Sequence, residues 1–531
     1  MLPKSLFQES NSIFLVFLAL TALICGALVM VIEVLGSRVI SPFFGASLFI
    51  WTSLIAVTLV GLAAGYTVGG LMADRYQSPS YLYGIIFAAG IAVSLIPFLK
   101  KPVFYLSVPL GLRLGALTAS ALLFALPHFL LGCVSPYIIR MATHETRKVG
   151  VNVGFFFAVS TIGSFLGTIV TGFYLISYVS VDSIFLMTSV CLVVLSVVYF
   201  LVFRKKILIL AFALFPLLLP GTHATTTKTM DDGTTVTKIF DKDTFYGNIK
   251  VLDRKYPYMQ TREMLLDGAP QGAIDLTSRM PVFDYFYYLQ YIPFSLQPQG
   301  KRCLVMGLGA GIIPLWYEKM GVTTDVIDVN PEVFSVAEQF FDFHIGGTKY
   351  VGDARYLLSI SNQKYDYIIL DVFNGDTLPE HMLGLESFQL ISRHLTDNGI
   401  VGINLVGSLT TDTFLTASLV KTLQTVFMTV EMFPTFEPDN PYSRNSGIGN
   451  VEIFAYNFPA VSLSQKRLQS FPFHPHASIA SNVMGLKFAF PPGTRGIILT
   501  DNYNPVDTLE PRIKEEVRKR VLAGNDIDIL L

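Results

Sequence analysis

Charged side chains are scarce in this sequence. They make up 15% of the 531 residues, where about 25% is ordinary for a soluble protein, and the mean hydropathy is +0.52. The formal net charge is −1, so no basic excess exists to attract nucleic acid, and we expect no nucleic-acid partner. A chain this apolar, with 42 phenylalanines, is predicted to contain membrane-spanning segments.

Cysteine is also rare. The four cysteines, Cys25, Cys133, Cys191 and Cys303, lie in apolar runs or at a predicted buried strand. They have none of the spacings of a disulfide framework, a zinc site or a redox pair. We therefore expect four buried thiols and no metal.

The scarce charges are unevenly distributed along the chain. Residues 1–221 carry only 17 of the 38 basic and 39 acidic residues, and the rest of the chain has a charge density close to that of a soluble protein. The length also exceeds the usual ceiling of about 300 residues for one domain. The sequence therefore predicts an all-α polytopic membrane domain at 1–221, followed by a soluble part.

The apolar runs give the number of spans and an orientation. A bilayer core requires about 20 apolar residues per helix, and six runs are long enough. A seventh run, at 207–219, is shorter and contains Pro216. It therefore predicts either a span or a re-entrant or interfacial segment. With the N-terminus inside, eight basic residues lie on the cytoplasmic side and four on the other, which favours that orientation. Six spans then place the C-terminal half in the cytoplasm, and seven place it outside. The six full-length runs are 12–32, 48–72, 81–99, 114–139, 151–178 and 182–203.

Small residues recur at helical spacing within two of the predicted spans. Gly61, Gly65 and Gly69 form one stripe, and Gly163 with Gly167 forms another. Such stripes let two helix backbones approach closely. We expect tight helix packing at both.

The soluble part has three predicted segments. The polar, turn-rich stretch 222–235 is predicted to be a linker. From residue 236, short strand-like runs with a turn at Asp267-Gly268 predict a small β subdomain over 236–280. After an aromatic helix-like stretch, strands and helices alternate, which predicts a Rossmann-like α/β domain over 281–531.

A glycine-rich turn follows the first strand of that domain. Its glycines, Gly307, Gly309 and Gly311, would let the backbone turn tightly and approach a ligand. Asp328 lies 21 positions after Gly307, at the end of the next strand. An acid at this place can bond both hydroxyls of a ribose. The pattern indicates a nucleoside-binding site.

Two further acids follow the next strands. Asp353, after Gly352, ends the third element, and Asp371 ends the fourth strand, at the edge of the sheet where ligands collect. Each of the three acids could instead cap a helix or end a strand in solvent. Together they fit one nucleoside-binding site better. A nicotinamide cofactor and S-adenosylmethionine would both use the first two groups, and the two later acids favour S-adenosylmethionine.

The motifs in this order resemble the spermidine synthase (polyamine aminopropyltransferase) family over roughly residues 236–405. The resemblance rests on the Leu-Asp-Gly-x-x-Gln motif at 266–271, on Tyr285, on Gly352-Asp353 and on Asp371. The segments 37–75 and 498–507 are similar to the membrane-embedded type of this family, often described as a fusion of a major-facilitator-like region and a spermidine synthase.

This resemblance implies a Rossmann-like fold that takes decarboxylated S-adenosylmethionine, or S-adenosylmethionine, as co-substrate and uses no metal. It implies that Asp371 accepts a proton from the acceptor amine and that Tyr285 and Asn374 contact the amine. The residues implied to hold the nucleoside co-substrate are Gly307, Gly309, Gly311, Asp328, Asp353 and Gln271.

The sequence departs from the family pattern on the acceptor side. Ala310 and Asn374 stand where the family has aspartates, Gly247 replaces a glutamine, and Phe286-Tyr287 replaces His-Glu. The protonated end of a diamine needs a carboxylate when it leaves water. Because two expected carboxylates are missing, we expect an altered acceptor or reduced activity.

We therefore expect a membrane-bound transferase that moves an aminopropyl group to a small amine or polyamine. Two alternatives stay open: an S-adenosylmethionine-dependent methyltransferase, and a non-catalytic membrane protein that senses nucleosides or polyamines or is related to transport. Because S-adenosyl compounds are cytosolic, we expect a multi-pass protein of the cell (inner) membrane, with the lipid bilayer as a partner and its C-terminal domain in the cytoplasm. A homodimer is compatible with the sequence.

Overall fold

The structure is a computed structural model. It divides into a helical N-terminal unit and a second unit made of Thr226–Lys242 and Asn248–Ile529. The predicted seventh apolar run at 207–219 and the predicted site residue Asn374 lie outside the described residues. The described ranges are 6–45, 48–142, 149–205, 226–373, 379–436, 447–477, 484, 487–506 and 511–531.

Long helices form the N-terminal unit. A 3-10 turn, Val108–Leu110, joins α3 to α4. Helix α6 continues through a π-helical turn, Thr171–Leu175, into a last helical turn, Ile176–Tyr178. The described helices are α1 (Leu6–Phe44), α2 (Leu48–Arg75), α3 (Pro79–Ser107), α4 (Gly111–Gly132), α5 (Val134–Ala142), α6 (Val149–Val170) and α7 (Val181–Arg204).

Five helical stretches among the described residues are long and apolar enough to cross a membrane. The sequence predicts six separate runs, and the difference lies in the stretch Pro79–Ala142. This stretch contains two of the predicted runs, because the chain stays helical through Val108–Leu110 instead of breaking there.

The glycine stripes lie at close helix contacts, as the sequence predicts. A Cβ added at Gly163 would lie 2.0 Å from the carbonyl oxygen of Leu23, and one added at Gly65 would lie 2.3 Å from the carbonyl oxygen of Phe129. Helix α6 therefore packs on α1, and α2 on α4, with backbone against backbone.

A five-stranded sheet opens the second unit, in the order β1-β2-β3-β4-β5. Its first strand lies inside the segment predicted to be a linker, and that prediction is wrong for residues 227–235. Thr227 pairs with Thr237 in an antiparallel register. The β-branched threonines favour extended backbone, and Gly233, with φ +83°, lies in the turn that joins β1 to β2. The strands are β1 (Thr227–Thr229), β2 (Thr235–Thr244), β3 (Gly247–Lys255), β4 (Gln260–Leu266) and β5 (Ala269–Asp275).

A seven-stranded sheet forms the centre of this unit, in the order β11-β12-β10-β9-β6-β7-β8. Strands β6 to β10 are parallel, and β12 is inserted antiparallel between β10 and β11. The order of the sheet reverses between β6 and β9, and ligands of open α/β sheets bind at the carboxyl ends of strands at such a switch point. The strands are β6 (Arg302–Met306), β7 (Thr323–Asp328), β8 (Lys349–Val351), β9 (Tyr365–Leu370), β10 (Leu395–Ser408), β11 (Thr429–Pro434) and β12 (Ile448–Tyr456).

Helices and apolar side chains cover both faces of this sheet. Along β9, Tyr367 and Ile369 belong to one apolar cluster while Ile368 and Leu370 belong to the other, as the alternation of a strand requires. Helix α8 contributes to the first cluster and packs on β10 and β12. The helices are α8 (Asp284–Leu296), α9 (Ile312–Lys319), α10 (Pro331–Phe341), α11 (Ala354–Ile360), α12 (Leu385–Arg393), α13 (Phe414–Leu423), α14 (Gln465–Leu468), α15 (Pro511–Gly524) and α16 (Ile527–Leu530).

Candidate active site

A cavity of about 540 Å³ lies at the carboxyl ends of β9 and β10. Strands β4 and β5, the start of α8 and the C-terminal helix α15 contribute to its walls. We call it the central cavity. Four of the residues predicted for the site line it: Gln271, Tyr285, Gly309 and Asp371.

The glycine-rich turn after β6 has its backbone in the left-handed region. The φ angles are +89° at Gly307, +50° at Gly309 and +73° at Gly311, which glycine adopts without strain. A Cβ at Gly307 would lie 2.1 Å from the carbonyl oxygen of Asp371, and one at Gly309 would lie 2.6 Å from that of Gln271. The glycines therefore allow the turn to touch two residues of the central cavity.

Asp328 supports this turn from the end of β7. Its carboxylate accepts the N–H of Leu308 at 2.9 Å and the N–H of Asn330 at 2.8 Å. Burial raises the pKa of this carboxyl, and the backbone N–H groups oppose the rise. The alternative that Asp328 caps the next helix is wrong, because Asn330 is the N-cap of α10 and accepts the N–H of Glu332. Asp328 holds the glycine turn without lining the central cavity.

Asp353 lies elsewhere. It is the N-cap of α11 and accepts the N–H of Tyr356 at 2.8 Å, while its other oxygen lies 2.8 Å from Nε2 of His381. Together with Arg355 and Glu386 it lines a second cavity. The structure therefore shows the helix-capping role and does not bring Asp353 into the central cavity.

Asp371 ends β9 at the switch point of the sheet. Its side chain is half-buried, and the loss of water raises its pKa to about 6 although Asn404 donates an Nδ2–H to it at 2.8 Å. Asn404 in turn accepts an Nδ2–H from Asn450 at 2.8 Å. Two amides thus orient a carboxyl that is ionised at neutral pH and still accepts a proton readily, as a general base requires.

Gln271 and Tyr285 come from β5 and α8. Gln271 donates an Nε2–H to the carbonyl oxygen of Ala269 at 3.3 Å. Burial raises the pKa of Tyr285, and the charges of Asp371 and Glu452 raise it further. Tyr285 is therefore within electrostatic range of the candidate base.

Three positions at which the sequence departs from the family it resembles lie in the apolar core. Ala310 and Phe286 are each 2% exposed, and Tyr287 is fully buried. Besides Asp371, two acids line the central cavity, Asp284 at the start of α8 and Glu263 on β4. Glu263 accepts a hydrogen bond from Arg254 at 2.7 Å. The two missing aspartates are therefore not replaced by the Glu263–Arg254 pair, whose charges neutralise each other.

Sequence reasoning misses three polar residues on β10 and β12. Asn404 and Asn450 line the central cavity, and Glu452 lies opposite Asn404 in the strand register. Each is a polar side chain between two nonpolar neighbours in a buried strand, which is a usable signal because a buried polar group without a partner is unfavourable. Linking them to Asp371 requires the strand order, which the sequence does not give.

The comparisons with known proteins cover only parts of the chain, and no protein-family model matches it. It is 32% identical over 129 residues to a polyamine aminopropyltransferase from Vibrio vulnificus, covering 23% of this chain and 43% of that protein. It is 31% identical over 150 residues to an N-terminal histidine N-methyltransferase from Emericella nidulans, covering 26% of each. Spermidine synthase from Thermotoga maritima, a solved structure, has 17% identity and a TM-score of 0.33, covering 45% of this chain and 81% of that one.

The chain thus spans less than half the length of these two curated relatives. Both are transferases by name. The strand order defines a Rossmann-like α/β domain in the C-terminal part of the chain, preceded by an all-helical region.

Proposed function

We propose that the C-terminal domain transfers an aminopropyl group from decarboxylated S-adenosylmethionine to an amine. The observation that carries this proposal is Asp371, a half-buried carboxyl with a pKa of about 6 in the same cavity as Gly309, Gln271 and Tyr285. The relative named polyamine aminopropyltransferase supports it. We propose a cationic or polyamine-type acceptor because the carboxyl groups of Asp371 and Asp284 line the cavity.

In this reaction a neutral amine attacks the propyl carbon next to the sulfonium. A carbon–nitrogen bond forms while the carbon–sulfur bond breaks, and the sulfur leaves as neutral methylthioadenosine. The nitrogen then has one proton too many, and Asp371 accepts it. The glycine turn, whose Leu308 N–H donates a hydrogen bond to Asp328, would place the sulfonium in line with the amine. Asp353, at the second cavity, is assigned no step.

Product identification tests the proposal. The purified full chain is incubated with S-adenosylmethionine, its decarboxylated form and a panel of amines, and the products are identified by mass spectrometry. Methylthioadenosine together with an aminopropylated amine is the expected result. Nucleoside binding without product from any amine would contradict it and favour a sensing or transport-related role.

Methyl transfer is the second candidate. The relative named N-terminal histidine N-methyltransferase supports it, and the same glycine turn and Asp328 would serve S-adenosylmethionine. The attacked carbon would then be the methyl group of the sulfonium. S-adenosylhomocysteine as the product of the same experiment would decide for this candidate.

For a monoamine acceptor, the pH dependence of kcat/KM is expected to change slope near pH 6. Below that pH both Asp371 and the amine must lose protons, so the logarithm of kcat/KM rises with a slope of about two, and above it with a slope of about one. The raised pKa also means that the folded chain binds this proton more tightly than the unfolded one, so ionising Asp371 lowers the free energy of unfolding.

A variant identifies the group responsible for the slope change. Asn404→Leu removes the N–H that stabilises the Asp371 carboxylate and should move the slope change to higher pH. The pH profile of kcat/KM for both proteins gives the answer, and an identical profile in the variant would contradict the assignment.

We also propose that the helical region spans the cell (inner) membrane and that the C-terminal domain faces the cytoplasm. The apolar stretches support this, since Pro79–Ala142 holds two of the six predicted runs and the five stretches therefore account for six spans. The excess of basic residues on one side of the predicted spans and the cytosolic supply of the co-substrate support it as well. In sealed vesicles, protease added on the cytoplasmic side should digest the C-terminal domain. Digestion only from the other side would contradict the topology and the enzymatic proposal together.

A further inference from the structure

Glu452 is an acid buried completely within the C-terminal domain. It is 0% exposed on β12, between Asn404 of β10 and Phe433 of β11 in the strand register. Phe433 and Phe454 belong to the apolar cluster on this side of the sheet, which α8 covers. Burial raises the pKa of the carboxyl well above its usual range, and the charge of Asp371 raises it further. An unpaired carboxylate in these surroundings is strongly unfavourable.

Two polar groups at this place lack a partner. Within the part of the chain that the structure describes, neither carboxyl oxygen of Glu452 has a hydrogen-bond partner, and the hydroxyl of Tyr288 on α8 has none either. Tyr288 is also fully buried, and the charge of Glu452 is one cause of its raised pKa. Buried polar groups in native proteins are nearly always satisfied, by protein, water or ligand.

Other buried acids of this domain are paired, which makes Glu452 unusual. Glu431, on the neighbouring strand β11, bonds to Tyr456 and Lys487. Asp275 accepts hydrogen bonds from Ser278. At these positions each buried acid therefore has a hydrogen-bond or ion-pair partner. Glu452 lacks such a partner among the described residues, and a bound cation would supply one.

Glu452 lies beside the central cavity. Its cross-strand neighbour Asn404 lines the cavity and bonds to Asp371, and Asn450, two positions earlier on the same face of β12, lines it as well. Tyr285 responds to the charges of both acids. A ligand at Asp371 thus has a second carboxyl within electrostatic range, next to the Asn404–Asn450 pair.

We propose that Glu452, together with the Tyr288 hydroxyl, binds the far ammonium group of a diamine whose other nitrogen is presented to Asp371. This rests on the proposed aminopropyl transfer. It accounts for Ala310 and Asn374 at positions where the resemblance implies acids, because the compensating negative charge is supplied from β12 instead. In the empty site Glu452 keeps its proton, and the arriving ammonium group replaces that proton as the partner of the carboxylate.

Binding measurements on the full chain in detergent, with methylthioadenosine present, test this assignment. The probes are 1,4-diaminobutane and 1-aminobutane, titrated by calorimetry. The wild type should bind the diamine more tightly than the monoamine. Glu452→Gln, which keeps the size of the side chain, should weaken diamine binding between about 10- and 100-fold and leave monoamine and methylthioadenosine binding unchanged. No turnover is needed, so the result is independent of whether aminopropyl transfer is observed.

Two further variants complete the test. Glu431→Gln alters a buried glutamate that already has partners on the neighbouring strand and should leave diamine affinity unchanged. Tyr288→Phe removes only the hydroxyl and should weaken diamine binding by a smaller factor, which also decides the matter if Glu452→Gln fails to fold. The proposal is overturned if the wild type does not prefer the diamine, or if the folded variants bind it as the wild type does.

Discussion

Asp371→Asn is expected to lower the rate of aminopropyl transfer by about 100- to 10,000-fold while the affinity for methylthioadenosine stays nearly unchanged. The amide has the size of the carboxyl, and its oxygen can keep the hydrogen bond that Asn404 donates. It cannot take the proton that the attacking amine must lose. Single-turnover product formation and calorimetric binding, measured on the same preparation, separate the two effects.

The matched control lies on the same strand. Asp366, near the amino end of β9, accepts the N–H groups of Lys301 and Arg302 and the hydroxyl of Thr396, so its role is structural. Asp366→Asn should lower stability and leave the rate per folded molecule unchanged. Equal loss of rate in both variants, or wild-type turnover by Asp371→Asn, would rule out Asp371 as the proton acceptor.

The parts of the site that could be predicted from the sequence depend on local patterns. A hydrophobic strand followed by closely spaced glycines predicts a turn at Gly307, Gly309 and Gly311, and the structure places all three in the left-handed region. Asp371 follows from the rule that parallel strands present their carboxyl ends at one edge. Both inferences need only the type and direction of neighbouring elements.

The remaining parts depend on pairings between distant segments. Asp353 follows β8, an edge strand separated from β6 by β7, and its carboxyl is engaged by Tyr356 and His381. The role of Glu452 depends on the insertion of β12 antiparallel beside β10, which brings it opposite Asn404. No local pattern encodes that register. Helix α15, at the far end of the chain, closes part of the cavity for the same reason.

Gly307→Ala is expected to weaken methylthioadenosine binding by about 100-fold or more, since displacement of a binding turn by about 1 Å has effects of this size. The added Cβ would lie 2.1 Å from the carbonyl oxygen of Asp371 and 2.8 Å from its carbonyl carbon. These are backbone atoms, and Asp371 is also tied to β6 by the hydrogen bond from its N–H to Met306 at 2.9 Å. Relief of this clash therefore displaces both the glycine turn and Asp371 from their positions, so turnover should fall as well.

Gly321→Ala is the control that separates the steric clash with Asp371 from the strain of a positive φ angle. Gly321 has a φ of +80°, close to the +89° of Gly307, but a Cβ there would meet no heavy atom within 4 Å. Both variants should lose stability, by about 1–2 kcal/mol for a left-handed residue with a Cβ, measured as a shift in melting temperature. If only Gly307→Ala also loses methylthioadenosine binding, the loss comes from the contact with Asp371. Equal binding by both variants would mean that the glycine turn does not hold the nucleoside.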